Sequence, residues 1–264
     1  MCGFYFFAGD AVKQTLRHQE ILDLVRSKGY VSTDDLVAHF DVSPQTIRRD
    51  LNELAAENKI RRQHGGATIP SSSVNTAYDA RKAMQHEAKN KLAQALVAHI
   101  PDGATLFIDI GTTPEAVARA LLNHQDLRIV TNNLNAASIL MAKEDFRIIM
   151  AGGEVRNRDG GIMGEATLDF ISQFRLDFGI LGISGIDLDG SLLDFDYHEV
   201  RVKQAIMENS RSVMLAVDHT KFGRSAMVNV GDIAQVDMLF TNAPLPETLQ
   251  ARLQDTETQI EMVE

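Results

Sequence analysis

Two periodicities divide the chain. Up to Leu54 the apolar residues recur at steps of three and four, the spacing of amphipathic helices. Ile21, Leu24 and Val25 mark a first helix over residues 15–28. Leu36, Val37 and Phe40 mark a second, and Ile47, Leu51 and Leu54 a third over 44–57. The punctuation agrees with this spacing. Gly29 follows the first segment in the position of a C-cap. Ser32, with Asp35 three residues on, reads as a capping box. Ser43-Pro44 reads as the N-cap and first residue of the third helix. Beyond this region the pattern changes. Residues 78–100 read as one long helix. Short apolar runs then follow at 105–110, 127–131, 146–151, 178–183, 213–217 and 238–241, mostly separated by helical spacing. Strands alternating with helices predict a Rossmann-like, mostly parallel α/β sheet covered on both faces.

The two patterns meet at Gly65-Gly66 and the turn-prone Pro70-Ser71-Ser72-Ser73. The expected organisation is a first domain over 13–69, a linker over 70–77 and a second domain over 78–264. Residues 1–12 fit neither domain. They are expected to be a disordered extension, or the product of an overcalled start.

Composition alters this picture only where charge is concerned. The net charge of −10 weighs against nucleic acid at first sight, but residues 1–69 carry nine basic and nine acidic side chains. All the excess acidity follows them. Arg48, Arg49, Lys59, Arg61 and Arg62 lie within fifteen residues of one another, and such a patch can bind phosphate whatever the total charge. One cysteine excludes an intrachain disulfide, and no apolar run reaches the length of a bilayer span. A cytoplasmic location is expected.

With Ile47, Leu51 and Leu54 turned inward, the third helix points Gln45, Thr46, Arg48, Arg49 and Asn52 outward. These side chains can read base edges or hold phosphates in a major groove, and Ser43 lies at the helix start. Residues 59–66 then read as a basic β-ribbon, with Arg61, Arg62, His64, Gly65 and Gly66 at its tip. A protein-binding helical domain would share the three helices but would not need the basic ribbon. The winged helix-turn-helix is therefore the reading adopted, with double-stranded operator DNA as the partner.

In the second domain, polar or glycine-rich segments stand at the carboxyl ends of five predicted strands, the edge where open α/β sheets collect ligands. Gly111-Thr112-Thr113-Pro114 follows the first strand. There a glycine admits close backbone approach, and Pro114, as first helical residue, opens a helix whose start can hold a phosphate. Asn132, the pair Gly152-Gly153, Gly185 with Asp187, and Lys221 occupy the other four ends. Lys221 is the candidate cation for an anionic ligand, with a solvated surface lysine as the alternative.

The run Ser43-Pro44-Gln45-Thr46-Ile47-Arg48-Arg49-Asp50-Leu51-Asn52-Glu53-Leu54, followed by His64-Gly65-Gly66-Ala67, resembles the signature of the DeoR family of bacterial repressors. The resemblance continues through residues 106–115, 160–167, 170–185 and 195–201. It implies a C-terminal effector domain similar to ribose-5-phosphate isomerase and a small phosphorylated inducer, with sn-glycerol 3-phosphate the expected one. It also implies a homo-oligomer, a dimer or tetramer. Asp109 joins Gly111, Thr112, Thr113 and Lys221 in the implied site, and Glu199 approximately matches the isomerase's catalytic glutamate. The isomerase's lysine- and glycine-rich loop has no counterpart in residues 189–195, and glycerol 3-phosphate has no carbonyl to isomerise. A sensor without catalysis, cofactor or metal is expected.

Overall fold

The computed structural model describes residues 6–57, 59–63, 65–69 and 75–264, with side chains described from Lys13 onward except that of Arg26. The chain forms two compact units, Met1–Ser71 and Ser72–Glu264. His64 and the expected linker residues Pro70 to Ser73 lie outside the described residues.

The first unit runs α1 (Phe6–Lys28), β1 (Tyr30–Ser32), α2 (Thr33–Phe40), α3 (Pro44–Ala56), β2 (Arg61–Gln63) and β3 (Gly66–Thr68). α1 begins ahead of the expected Thr15. It takes in residues 6–12, which are thus helical where a disordered extension was expected. The three helices bury Ile21, Val25, Leu36, Ile47, Leu51 and Leu54 to 1% exposure or less. This is the stripe that helical spacing demands. Both expected caps form: Ser32 Oγ accepts from Asp35 N at 3.0 Å and Ser43 Oγ from Thr46 N at 3.2 Å. The ribbon is a three-stranded antiparallel sheet in the order β1-β3-β2. β1 was not expected, because three residues are too few to display a period. Its pairing with β3 depends on Gly66, where a Cβ would stand 2.3 Å from the Val31 carbonyl oxygen.

The second unit opens with α4 (Tyr78–Ala83) and α5 (His86–Val97). These replace the single helix expected over 78–100. The chain breaks at Met84 and Gln85, which adopt extended and left-handed conformations. No glycine or proline announces the break. Lys89 stabilises it by donating from Nζ to the carbonyls of Arg81 and of Met84, the latter at 2.7 Å.

The remaining elements are β4 (Thr105–Ile108), α6 (Thr112–Ala120), β5 (Arg128–Thr131), α7 (Leu134–Leu140), β6 (Arg147–Met150), β7 (Glu154–Arg156), β8 (Gly161–Met163) and α8 (Glu165–Ile171). After them come β9 (Leu176–Leu181), β10 (Gly185–Ile186), β11 (Ser191–Asp194), α9 (Tyr197–Glu208), β12 (Ser210–Val217), β13 (Val228–Asp232), β14 (Met238–Thr241), α10 (Glu247–Leu253) and β15 (Gln259–Met262). Seven strands form one fully parallel sheet in the order β15-β14-β12-β9-β4-β5-β6. All six expected runs are in it. β15 alternates polar and apolar residues at an edge, so no apolar run marked it. One core packs α5, α6 and α7 on the sheet through Leu92, Leu96, Val117 and Leu140. The other packs α9 and α10 on the opposite face through Val202, Ile206 and Leu249. Burial on both faces explains the continuous apolar runs. Two antiparallel ribbons, β10-β11-β13 and β7-β8, complete the unit. Among the described residues no helix is long and apolar enough to cross a membrane.

Candidate functional site

The first unit presents one cationic face. Gln45, Arg48, Arg49 and Asn52 are exposed on α3, Thr46 is half-buried and Ser43 is exposed at the helix start. Arg48 has no partner among the described residues, while Arg49 donates from Nε to Glu53 at 2.9 Å. Lys13, Gln14 and Arg17 of α1 share the concave surface lined by these residues. Arg61 and Arg62 are exposed on β2, and Gly65 makes the turn with φ +71. Gly66 is buried, so its part in the ribbon is to give room for β1 rather than to offer a surface.

Beneath α3 lies a charge that sequence reasoning missed. Asp50 is 1% exposed, accepts from Arg17 Nε at 2.5 Å and stands 3.1 Å from His18 Nε2. Burial alone would raise its carboxyl, but the bonds from Arg17 and His18 outweigh that and hold it below its ordinary value. The pair fixes α1 to α3 and thereby sets the exposed face of α3.

The second unit places a small recess, open to solvent, at the carboxyl ends of β4 and β9. Gly111, Thr112, Thr113, Glu199 and Lys221 of the expected set line it. Gly182 and Ser184, from the same strand end as the expected Gly185 and Asp187, join them, as do Arg81 and Asp194, which were not expected. α6 starts at Thr112, so Pro114 is its third residue instead of its first, and no side chain caps the start. The backbone approach is close: a Cβ on Gly182 would stand 2.6 Å from the Ile110 carbonyl oxygen.

The recess has a cationic wall and an acidic wall. The Lys221 ammonium has neither a hydrogen-bond nor an ion-pair partner among the described residues. Burial, with the Arg224 guanidinium beside it, pushes its amine down to about 7. Arg81 and Lys89 add to this repulsion, and burial brings Lys89 down to about 8. Arg224 is anchored, donating to the Ser184 carbonyl at 2.7 Å and to Asn75 Oδ1 at 2.9 Å. Of these cations Arg81 and Lys221 line the recess; Arg81 is paired with Asp159 at 3.6 Å, so the Lys221 ammonium is the charge that an anion would stabilise most.

On the acidic wall, buried Lys203 holds Asp109 at 2.6 Å and Glu199 at 3.0 Å, with Asp194 at 3.5 Å. Burial opposes its charge, but the three carboxylates outweigh it and keep the ammonium protonated. Arg156 holds the other side of Glu199 at 2.9 Å. Lys203 and Arg156 together overcome burial and keep Glu199 ionised.

The other expected residues do not line the recess. Asp109 is fully buried below it, accepting from Gly182 N at 3.1 Å as well as from Lys203, so it supports the floor. Asn132 is fully buried and donates to the Ile162 carbonyl at 3.1 Å. Gly152 accepts from Thr167 Oγ1 at 2.8 Å, and Gly153 packs against the same hydroxyl. Gly185 leaves space for the Arg224 backbone, and Asp187 caps the β10–β11 turn through Leu188 N. All five strand ends do share one sheet edge, but that edge spans five strands and the recess occupies only part of it.

Comparison with known proteins separates the two units in the same way. A family model described as a DeoR-like helix-turn-helix domain matches residues 17–73, and one described as the DeoR C terminal sensor domain matches residues 84–243. The chain belongs to the DeoR family. It is 68% identical over 251 residues to the glycerol-3-phosphate regulon repressor of Escherichia coli K12, covering 95% of this chain and 100% of that protein. It is 60% identical over 249 residues to the repressor of the same name from Haemophilus influenzae, covering 94% of this chain and 97% of that one. Ribose 5-phosphate isomerase A from Neisseria gonorrhoeae aligns at 17% identity and a TM-score of 0.39, covering 53% of this chain and 55% of that one.

In this DeoR chain the cationic face of α3 and the ribbon lies in the matched helix-turn-helix domain. All but one of the residues lining the recess lie in the matched sensor domain. The exception is Arg81, on α4, three residues ahead of the sensor match. Its charge was visible in the sequence, but the region reads as an ordinary solvated helix, and only the break at Met84 and Gln85 brings it to the recess.

Proposed function

We propose that this chain represses genes of glycerol and glycerol 3-phosphate metabolism by binding double-stranded operator DNA, and that sn-glycerol 3-phosphate releases it. The observation that carries this reading is the 68% identity over the whole length of a glycerol-3-phosphate regulon repressor, together with a recess whose free Lys221 suits a phosphate. The α3 residues Gln45, Thr46, Arg48, Arg49 and Asn52 enter the major groove, and Arg61 and Arg62 reach the neighbouring backbone. A homo-oligomer in the cytoplasm places two such helices on two half-sites.

The recess binds its ligand without chemistry. A general base needs a free lone pair directed at a substrate proton. Glu199 is held between Lys203 and Arg156 and kept ionised below the ordinary range, so it is a weak base with its oxygens engaged. The phosphate lies at the start of α6 against Lys221 and Arg81, where helix dipole and cations act together.

A gel shift on candidate operator DNA, titrated with sn-glycerol 3-phosphate and other sugar phosphates, tests the reading. Release by glycerol 3-phosphate at the lowest concentration is expected. Coupling is reciprocal, so operator DNA must weaken effector binding by the same factor. Effector affinity unchanged by operator, or turnover of any sugar phosphate, would overturn the proposal.

A further inference from the structure

The acidic wall contains two buried carboxylate oxygens that make no hydrogen bond, Asp109 Oδ1 and Asp194 Oδ2, and of these two residues only Asp194 lines the recess. Asp194 is 2% exposed and lines the recess. Its Oδ1 accepts from Ser184 Oγ at 2.7 Å and from Phe195 N at 2.8 Å. Its Oδ2 is buried and makes no hydrogen bond. Lys203 Nζ is ion-paired with this oxygen at 3.5 Å without a hydrogen bond, its short contacts going to Asp109 and Glu199. A buried acceptor without a donor is costly, and native structures rarely retain one without a use. Arg81 and Lys221 line the same recess, so one small cavity has a cationic wall and, on Asp194, an acceptor without a hydrogen bond.

We infer that Asp194 selects the carbon end of the effector, accepting a hydrogen bond from a ligand hydroxyl and excluding ligands that carry a second anion there. This rests on the phosphate-effector reading above. A carboxylate can only accept, so it rewards a hydroxyl and penalises both a methyl group, which leaves it unpartnered, and a carboxylate, which repels it. Glu199 lines the same recess and adds to that repulsion. The favoured ligand class is a short polyol monophosphate. Alkyl phosphates of equal length and phosphorylated hydroxy acids are rejected. Sites built to bond a ligand hydroxyl discriminate strongly against analogues that lack it.

The test is calorimetric titration of the full-length protein with four probes: sn-glycerol 3-phosphate, 1-propyl phosphate, 3-phosphoglycerate and inorganic phosphate. Wild-type protein is expected to bind glycerol 3-phosphate at least tenfold more tightly than either of the next two. Asp194→Asn places an amide where the carboxylate stood. It is expected to reduce the preference for glycerol 3-phosphate over 3-phosphoglycerate by tenfold or more. Wild-type protein that binds propyl phosphate as well as glycerol 3-phosphate overturns the inference, whether or not the variant folds. So does an Asp194→Asn protein that keeps the wild-type preference. Wild-type protein that binds none of the four probes overturns the effector reading itself, and the inference falls with it.

Discussion

Asn75 Oδ1 accepts a 2.9 Å hydrogen bond from Arg224, and Asn75 Nδ2 donates to Ser184 Oγ at 3.3 Å. The segment leading into α4 is therefore fastened to two residues at the recess, and Arg81, six residues further on, lines that recess. A ligand that draws on Arg81 or Arg224 changes the bonds holding this segment. Asn75→Ala removes both side-chain bonds, each a neutral or singly charged one of about 0.5–3 kcal/mol. The expected outcome is a weaker response to effector, with the induction midpoint moved several-fold and operator affinity in the absence of effector unchanged. A gel shift with and without glycerol 3-phosphate measures both quantities.

Arg48 is exposed on α3 without a partner among the described residues, so it is free to reach a base edge. Arg48→Ala should cost about 1–3 kcal/mol of operator affinity if it makes a bidentate base contact, and should leave effector binding intact. Arg61→Ala on the ribbon should instead weaken binding to all sequences alike and lower the salt dependence, the mark of a phosphate contact. Fluorescence anisotropy on operator and scrambled DNA across a salt series separates these outcomes.

Much of this arrangement was legible in the sequence, and the failures at the recess share one cause. Ile47, Leu51 and Leu54 announce the buried side of α3 because helical spacing and burial are both local in sequence. The parallel strands announce themselves because both faces are covered. The recess does not, because it depends on long-range contacts. Lys203 joins residues 109, 194 and 199, and Arg81 reaches the recess only because the helix breaks at Met84 and Gln85. Asn132, Gly152, Gly153 and Asp187 were expected at the site for lying at the right edge of the sheet. Edge position is necessary for a site of this kind but does not specify which strand ends converge.

Lys221 supplies a pH signature. Its amine is pushed down to about 7 by burial and by Arg224, against an unfolded value near 10.4. Between about pH 7 and 10 the unfolded chain therefore binds more protons, and this group makes stability rise with pH. Effector binding runs the other way. A dianionic phosphate favours the ammonium, so affinity should fall as pH rises above about 7. It should also fall below about 6, where the phosphate takes up its second proton. Lys221→Ala should abolish the upper limb, cost roughly 10- to 100-fold in effector affinity through loss of a charged bond, and yield a repressor that binds operator but no longer releases it. Calorimetry from pH 5.5 to 9 in buffers of different ionisation enthalpy reads the proton uptake directly.

The Arg17–Asp50 pair makes the strongest demand on the first unit. Asp50 is 1% exposed, and removing one partner from a buried pair leaves a charge in a medium that solvates it poorly, at a cost of about 3–5 kcal/mol. Arg17 is itself partly exposed and His18 remains within 3.1 Å, so Arg17→Met should fall at or below the lower end of that range. Because the folded carboxyl is held below its ordinary value, the pair's contribution is present above about pH 4 and lost as pH falls through the folded value. Replacing both partners by apolar residues of similar size removes the buried charge together with its compensation. Arg17→Met combined with Asp50→Leu should therefore recover most of the stability lost in Arg17→Met alone. Urea denaturation at pH 7 and pH 4 measures this recovery, and it should be larger at pH 7, where the orphaned carboxylate of the single variant is charged. If the double variant is no more stable than the single one, Asp50 has a role beyond pairing with Arg17, and the link from α1 to the exposed face of α3 needs another explanation.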